Sequence, residues 1–238
     1  MGLPVSVLAR GHLGQPAVTT AVESVYAELR SVDALLSPYQ EDSEVSRIAR
    51  GEVFERHPDT REVAALAEEA RALTGGLFDA TRPDGTWDPS GLVKGWAVER
   101  AARHLAVDGV DWCLNAGGDV VVVCPSGVPF VVGIEDPLDR TRLVATVPST
   151  GVAVATSGTA ARGEHLYDPR SGTAATGVAS VTVVGPSLTW ADVLATAAFV
   201  AGDGAVSVVA SRPAYTALVV AKDGRTTTSQ GWPGTLLR

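Results

Sequence analysis

The sequence has 238 residues, of which 45% are hydrophobic and 19% are charged. These proportions are typical of a folded globular protein with a sizeable core, and they exclude a largely disordered chain. The formal net charge of −8 argues against a nucleic-acid-binding protein, which needs a basic surface, but it is compatible with a small phosphate ligand.

Location and redox state can be predicted from simple features of the chain. We expect no membrane-spanning segment, and no signal peptide or lipid-attachment box is visible, so the expected location is the cytoplasm. The two cysteines, Cys113 and Cys124, lie in an apolar stretch and match no zinc-binding pattern. They are expected to be buried thiols rather than a disulfide.

The first half of the chain is predicted to be mainly helical. Apolar residues recur three and four positions apart in its long segments, and prolines and glycines separate these segments. The third helix is expected to begin at Asp59 as N-cap, with Glu62 three residues later. The predicted segments are a strand over 3–9 and helices over 16–36, 42–50, 59–73 and 92–105.

The second half is predicted to consist mainly of short strands with one late helix. A block of helices followed by a block of strands indicates an α+β protein, with helices packed on a mixed or antiparallel sheet. Because no internal repeat or linker is visible, we expect a single domain over residues 1–238. The predicted strands are 113–114, 120–124, 130–134, 143–147, 152–155, 178–184 and 215–221, and the helix is 189–200.

The segment from Asp88 to Gly95 combines a turn with the start of a helix, for which Ser90 is a plausible N-cap. A helix N-terminus offers free amides and a partial positive charge, and Lys94 adds a full charge. Together these features suit a pyrophosphate. The alternative is a well-capped helix with a surface lysine, and the sequence alone leaves both open.

Two further segments place small or polar residues beside strands. The glycine pair in the segment 115–119 indicates either close approach of the backbone to a ligand or a two-residue hairpin turn. Thr156 and Ser157 leave a strand with hydroxyl groups that can bond a phosphate or a sugar. His165 follows in a polar loop, where it is either a base or an ordinary surface residue beside the turn 168–172.

Asp192 and Thr196 form the fourth candidate feature. They are four residues apart, so they share one face of the late helix and offer two oxygen ligands for a hard cation such as Mg²⁺. The alternative is that Asp192 completes a capping arrangement with Thr189. The otherwise apolar helix favours the metal interpretation, because a polar pair buried there needs a partner.

Taken together, these segments resemble the ApbE family of FAD-dependent flavin transferases, over nearly the whole chain and in the family's order. Each motif is modest, but their shared order is difficult to reach by chance. The motifs are Met1-Gly2, Ser37-Pro38-Tyr39, Asp42-Ser43-Glu44-Val45-Ser46-Arg47, Gly76-Leu77-Phe78-Asp79, Asp88 to Gly95, Asn115-Ala116-Gly117-Gly118-Asp119, Gly133-Ile134-Glu135-Asp136-Pro137, Thr156-Ser157-Gly158, His165 to Gly172, and Ala191-Asp192 with Thr196.

The resemblance implies an ApbE-like fold of the α-β roll type, FAD as the substrate and Mg²⁺ as the metal. It makes His165 the catalytic residue. The implied metal ligands are the Gly91 carbonyl, Asp192 and Thr196. The implied flavin nucleotide contacts are Met1, Tyr39, Leu77, Phe78, Asp79, Asp88, Lys94, Gly118, Thr156, Ser157, Gly158 and Leu166.

The implied activity is transfer of the FMN half of FAD to a threonine or serine hydroxyl of an acceptor protein, with release of AMP. Two alternatives share the same site: hydrolysis of FAD to FMN and AMP by water, and binding of FAD without chemistry. The loops before Asp88 and before His165 are shorter than in many relatives, so the rim of the ligand site is expected to differ.

Overall fold

The computed structural model of the chain describes residues 2–52, 55–158 and 166–237. Met1 and His165, two residues implied by the resemblance, lie outside these ranges. The segments predicted from the sequence are present, and most boundaries shift by one to three residues.

In the residues that the structure describes, the first part of the chain contributes one strand and four helices. In the long first helix, the buried residues recur every three or four positions, as the sequence predicted. The elements are β1 (Val5–Gly11), α1 (Pro16–Leu36), α2 (Glu44–Ala49), α3 (Pro58–Leu73) and α4 (Ser90–Ala102).

The second part contains the remaining strands and two consecutive helices. The second of these helices and the last two strands are not predicted from the sequence, because all three are very short. The elements are β2 (Val110–Ala116), β3 (Asp119–Val123), β4 (Phe130–Glu135), β5 (Leu143–Ser149), β6 (Ala153–Gly158), β7 (Ser180–Gly185), α5 (Leu188–Ala201), α6 (Ala205–Ala210), β8 (Thr216–Val220), β9 (Thr226–Thr228) and β10 (Thr235–Leu236).

The strands form two antiparallel sheets that sit at the centre and on one side of a layered structure. The larger sheet has the order β1-β2-β3-β6-β7-β8-β9, and the smaller one has the order β10-β5-β4. The helices cover one face of the larger sheet, and the smaller sheet packs on its other face. This arrangement confirms the predicted α+β class with an antiparallel sheet.

Coverage on both faces explains the composition of the central strands. All six residues of β7 are buried, so this strand lacks the alternation of a half-exposed strand. Cys113 and Cys124 are both buried and both free, which confirms the expectation of two thiols.

The start of the third helix differs from the prediction. The N-cap is His57 instead of Asp59, and its imidazole Nδ1 accepts a hydrogen bond from the Asp59 amide at 3.2 Å. Pro58 occupies the first helical position, where its missing N–H is no loss. The sequence prediction gave weight to the acidic capping pattern and overlooked this combination of histidine and proline.

The apolar character of α5 and α6 was also underestimated. The segment Leu188–Ala210 has a mean hydropathy of 1.8, and by length and composition it could cross a membrane, contrary to the expectation above. Gly202, with φ of 57°, separates the two helices, and α5 packs against α4, β6 and β7. A buried core helix passes the same test, so the segment is weak support for a membrane span.

Candidate functional site

The site is built where α4 and α5 touch almost backbone to backbone. A methyl group placed on Gly95 would lie only 2.9 Å from the carbonyl oxygen of Leu188 and 3.0 Å from the Cβ atom of Asp192. Glycine is therefore required here for the helices to approach this closely. The contact brings Lys94, the preceding residue of α4, next to Asp192.

Lys94 lies between two buried aspartates. Its Nζ atom is 2.6 Å from Oδ2 of Asp119 and 3.3 Å from Oδ1 of Asp192. The Asp119 and Asp192 residues are 1% and 2% exposed, and the side chain of Lys94 is 23% exposed. Lysine was expected to face a pyrophosphate at the helix N-terminus, but here its charge is already matched by two carboxylates.

Burial and the neighbouring charges shift the ionisation of this group of side chains. Burial raises the pKa of Asp192, the Lys94 ammonium lowers it, and the nearby Asp119 carboxylate raises it further, so that the net shift is upward. Burial opposes the charge on Lys94, but the Asp192 and Asp119 carboxylates outweigh this effect and raise the pKa of Lys94. Lys94 is therefore positively charged at neutral pH, and it faces two carboxyl groups.

Two hydroxyl groups extend this arrangement toward the sheet. Thr196, one turn beyond Asp192 on α5, has its Oγ1 atom 3.1 Å from Oγ of Ser157 on β6. Ser157 is 8% exposed. We refer to Lys94, Asp119, Asp192, Ser157 and Thr196 as the Lys94 cluster.

The Lys94 cluster fits a hard cation better than a purely structural network. The Oδ2 atom of Asp192 is buried and has no hydrogen-bond partner in the part of the chain that the structure describes. An unpaired buried carboxylate oxygen is costly unless something positive occupies its free position. Across residues 2–52, 55–158 and 166–237 no three His, Cys, Asp or Glu side chains gather as metal ligands, so a cation here would draw on hydroxyl, carbonyl and substrate oxygens as well.

The alternative role of Asp192 as a capping residue is wrong. The helix begins at Leu188, its N-cap is Ser187, and the Ser187 hydroxyl accepts a hydrogen bond from the Trp190 amide at 3.4 Å. Asp192 therefore lies beyond the first turn, where a capping interaction with Thr189 is not available.

Glu99 on α4 forms hydrogen bonds with the first residues of α5 and its N-cap. Its Oε2 atom accepts hydrogen bonds from the Thr189 hydroxyl at 2.6 Å, the Thr189 amide at 2.9 Å and the Ser187 hydroxyl at 2.8 Å. These three bonds satisfy donors at the helix N-terminus that would otherwise lack partners. Together with Gly95 they fix the position of α5 relative to α4.

The start of α4 carries the proposed third metal ligand. Ser90 is the first helical residue and Pro89 is the N-cap, so the prediction of Ser90 as N-cap is wrong by one position. The side chain of Asp88 takes the capping role instead, since its Oδ1 atom accepts the Ser90 amide at 3.0 Å. Gly91 and Gly95 are four residues apart and share a face of α4, and a Cβ on Gly91 would lie 3.2 Å from the ring of Phe78.

A second group of polar side chains lies near the start of α4. Arg82 forms an ion pair with Asp88. The hydrogen bond that Arg82 donates to Asp88 raises the pKa of Arg82, and the nearby Tyr167 and Tyr39 raise it further. Burial raises the pKa of Tyr167, with Asp88 and Asp79 adding to the effect. Tyr39 is 81% exposed, so its aromatic ring is open to solvent.

A cleft connects two of the motifs singled out from the sequence. Its volume is about 370 Å³, and its lining includes Gly76, Asp79, Pro169 and Arg170. The Gly76–Asp79 motif and the turn around Pro169 are distant in sequence, and the fold brings them together at this cleft. Residues 168–172 form a simple turn, since the Gly172 amide bonds the Asp168 carbonyl at 2.7 Å.

The remaining predicted flavin contacts are spread around these features. Leu77 and Asp79 are half-buried, while Phe78 is buried at 4% exposure. Leu166 is half-buried, and its carbonyl accepts the Ala175 amide at 2.9 Å. Gly158 ends β6 and lies close to Ser180 of β7. Their contacts with a flavin stay predictions.

The side chains of Thr156 and Ser157 point in different directions. The Thr156 hydroxyl bonds the Thr182 hydroxyl at 2.9 Å, whereas the Ser157 hydroxyl faces Thr196 on α5. Because successive residues of a strand point to opposite faces, only Ser157 joins the Lys94 cluster through its side chain. Thr156 contributes its backbone amide, which bonds Oδ1 of Asp119 at 3.1 Å.

The glycine pair turns out to be a hairpin that positions an aspartate. Gly117 and Gly118 have φ of 62° and 100° and connect β2 to β3 as a two-residue turn. The amide of Gly118 bonds the Asn115 side chain at 3.0 Å. The hairpin interpretation is therefore right about the turn, and the chemistry comes from Asp119, the first residue of β3.

Sequence reasoning missed Asp119 and Glu99 as site residues. Asp119 lies at the end of a segment that was singled out, but its partner Lys94 could not be identified without the α4–β3 contact. Glu99 is a charged residue in a helix whose other positions are mainly buried and apolar. A charge in such a pattern needs a partner, and this signal could have marked Glu99.

Comparisons with known proteins identify the family. The sequence profile of the ApbE family matches residues 1–84 and 82–219. The chain is 30% identical over 167 residues to the FAD:protein FMN transferase of Vibrio cholerae, and 33% identical over 141 residues to the protein of the same name from Rhodobacter capsulatus. These matches cover 65% and 55% of this chain but only 50% and 27% of the two relatives, respectively.

Solved structures show the same fold. The crystal structure of an ApbE protein from Thermotoga maritima has a TM-score of 0.84 and 24% identity, and the match covers 96% of this chain and 94% of that one. The flavin transferase ApbE from Vibrio cholerae has a TM-score of 0.74 and 24% identity, with 96% and 98% covered. The motif order, the profile match and the shared fold lead to one conclusion: the chain belongs to the ApbE family.

Proposed function

We propose that this protein transfers the FMN half of FAD to a threonine or serine hydroxyl of an acceptor protein, in a reaction that requires Mg²⁺ and releases AMP. Membership of the ApbE family and the relatives named FAD:protein FMN transferase support this proposal. The observation that carries it is the buried carboxylate of Asp192. Its free Oδ2 atom lies one helical turn from Thr196, in a cluster that already contains a lysine.

The residues that would hold the metal are Asp192, Thr196 and the backbone carbonyl of Gly91. All three offer oxygen atoms, which Mg²⁺ prefers, and a set with one carboxylate leaves positions for phosphate oxygens. When bound, Mg²⁺ would supply positive charge that offsets the negative charge developing on the diphosphate.

The protein's own residues would bind and orient the two reactants. The N-terminus of α4 would attract an anionic group through its partial positive charge, since its Ser90 amide is already bonded to Asp88 and its Leu92 amide to the Pro89 carbonyl. His165, proposed from the family resemblance, would position or deprotonate the acceptor hydroxyl. The hydroxyl oxygen would then form a bond to the FMN phosphorus, while the bond from that phosphorus to the bridging oxygen breaks and AMP leaves with the electron pair. Most of the rate gain would come from positioning and electrostatics.

The proposal is tested by replacing Asp192 with alanine. We expect Asp192→Ala to lower Mg²⁺-dependent transfer by about 100-fold or more, as for loss of a group that stabilises the transition state. The measurement is mass spectrometry of a candidate acceptor after incubation with FAD and Mg²⁺. Circular dichroism and thermal unfolding check that the variant folds.

A matched control uses another buried aspartate, Asp111, which lies outside the Lys94 cluster. Asp111→Asn is expected to keep transfer activity. Full activity in Asp192→Ala would remove the metal assignment. Rapid AMP release by the wild type without any acceptor would favour FAD hydrolysis, and FAD that stays intact with every acceptor tested would favour a binding protein.

A further inference from the structure

The ammonium of Lys94 is not shared equally between its two carboxylates. It lies 2.6 Å from Oδ2 of Asp119 and 3.3 Å from Oδ1 of Asp192. Asp119 is 1% exposed, and its Oδ1 atom accepts the backbone amide of Thr156 at 3.1 Å. Asp119 is thus anchored to β6 through one oxygen and to Lys94 through the other.

Asp192 makes the longer approach to Lys94 through its Oδ1 atom, and its Oδ2 atom has no hydrogen-bond partner among the described residues. The Oδ2 atom of Asp119 also lacks a hydrogen bond among these residues, but it forms the shorter ion pair with Lys94. A divalent cation on Asp192 would carry the same sign of charge as Lys94. Like charges within a few ångströms in a partly buried site repel strongly, so the lysine must be held by a different anion for the metal to bind.

Asp119 supplies that anion. Resting on the proposed function, we propose that Asp119 is a positioning residue that holds the Lys94 ammonium nearer to itself than to Asp192 and so leaves Asp192 able to bind a divalent cation. Asp119 acts through the lysine and does not itself bind the metal. It lies directly after the Gly117–Gly118 hairpin, at the start of β3, which contacts α4.

The charges of the three side chains give the expected effect of each change. When all three side chains are ionised, Lys94, Asp119 and Asp192 together carry one net negative charge. In Asp119→Asn, the lysine has only Asp192 as an ionic partner, so the cation must displace an ion pair and metal affinity falls. In the double variant Lys94→Met/Asp119→Asn, Asp192 is again free and the net charge is again one negative.

The experiment measures binding of Mn²⁺, used alone as a probe for Mg²⁺ without FAD. Free Mn²⁺ is counted by electron paramagnetic resonance for the wild type, Asp119→Asn, Lys94→Met and the double variant. We expect Asp119→Asn to weaken binding by about tenfold, and the double variant to return to near the wild-type affinity. Lys94→Met is expected to increase Mn²⁺ affinity more in the Asp119→Asn background than in the wild type.

This double-mutant cycle separates positioning from simpler roles. If Asp119 acts only through its own charge, Lys94→Met should increase Mn²⁺ affinity by the same factor in the wild-type and Asp119→Asn backgrounds. If Asp119 has a purely structural role, Lys94→Met should not restore Mn²⁺ binding to Asp119→Asn. Either outcome would overturn the proposal. Asparagine keeps the oxygen that accepts the Thr156 amide, so Asp119→Asn is expected to fold. Lys94→Met alone gives an independent test, because weaker binding than in the wild type would contradict a lysine that competes with the metal.

Two further variants distinguish failure of this proposal from failure of the proposed function. Asp111→Asn is the matched control and should bind Mn²⁺ as the wild type does. If Asp192→Ala abolishes binding but Asp119→Asn has no effect, the role of Asp119 is overturned and the proposed function stands. If the wild type binds no Mn²⁺ without FAD, the role of Asp119 is overturned, whereas the proposed function, in which substrate oxygens complete the metal site, is judged by the transfer assay.

Discussion

Asp111 and Asp192 are both buried aspartates with a basic partner, but they differ in how completely their oxygens are used. Asp111 accepts the Ser126 amide at 3.0 Å, the Ser126 hydroxyl at 2.5 Å and Arg10 Nε at 2.9 Å. Asp192 keeps one oxygen without a partner in the described chain. The first aspartate is fully satisfied by the fold, and the second is left with a free position.

The two pKa shifts reflect this difference. The hydrogen bonds from Ser126 and Arg10 outweigh the effect of burial and hold the pKa of Asp111 well below its usual range. At Asp192, burial is the largest effect and the pKa is raised. A carboxylate with a purely structural role accepts several hydrogen bonds. A carboxylate that binds a ligand keeps one oxygen unpaired, in an environment that disfavours its negative charge.

The largest effect predicted from this comparison concerns the two basic partners. Lys94→Met removes the cation that compensates two buried carboxylates, so we expect the free energy of unfolding to fall by about 3–5 kcal/mol. Arg10→Met should have a smaller effect, because Asp111 keeps its bonds from Ser126. Urea unfolding with EDTA at pH 8 measures both, and equal losses would contradict the contrast between the two sites.

An effect of intermediate size on stability is expected at the contact between α4 and α5, beside Asp192. Gly95→Ala places a methyl group 2.9 Å from the Leu188 carbonyl, so α4 and α5 must separate. We expect a loss of about 1–3 kcal/mol in the free energy of unfolding, typical of overpacking. Weaker Mn²⁺ binding should accompany it, because Asp192 moves with the helix.

A matched glycine provides the control for this variant. Gly151 lies between β5 and β6, and an added Cβ there would meet no atom within 4 Å. Gly151→Ala should therefore change stability by less than about 0.5 kcal/mol. If Gly95→Ala is as mild as Gly151→Ala, the close approach of α4 and α5 does not constrain the site.

Much of the fold follows from local patterns in the sequence. The buried stripe of α1 ends at Pro38 as expected, and the strand boundaries are right to within a few residues because apolar runs end at turn residues. The very short α6, β9 and β10 escape prediction, since few residues carry their pattern. The N-cap positions at His57 and Pro89 also differ from expectation, because several capping residues compete within each turn.

The candidate site could be predicted only in part. The proximity of Asp192 and Thr196 was predicted because they share one helix, where spacing determines proximity. The ion pair between Lys94 and Asp119 joins α4 to a strand 25 residues later, and no local pattern reports such a contact. Sequence motifs therefore identified the segments of the site, whereas the pairing of its charges required the fold.

The smallest effect we expect, measured per pH unit, is a change in stability that has opposite signs at the two aspartates. The raised pKa of Asp192 means that the folded state binds a proton more tightly than the unfolded state, so its contribution to stability is present below about pH 4 and is lost as pH rises. The lowered pKa of Asp111 gives a contribution that is present above about pH 4 and is lost as pH falls. One proton limits each slope to about 1.4 kcal/mol per pH unit.

Urea unfolding with EDTA between pH 3 and pH 8 measures these slopes when the wild type is compared with Asp192→Asn and Asp111→Asn. Relative to Asp192→Asn, the wild type should lose stability as pH rises; relative to Asp111→Asn, it should lose stability as pH falls. Slopes of the same sign would mean that both carboxylates are equally satisfied in the absence of metal. In that case the free oxygen of Asp192 would no longer distinguish a ligand site from a structural one.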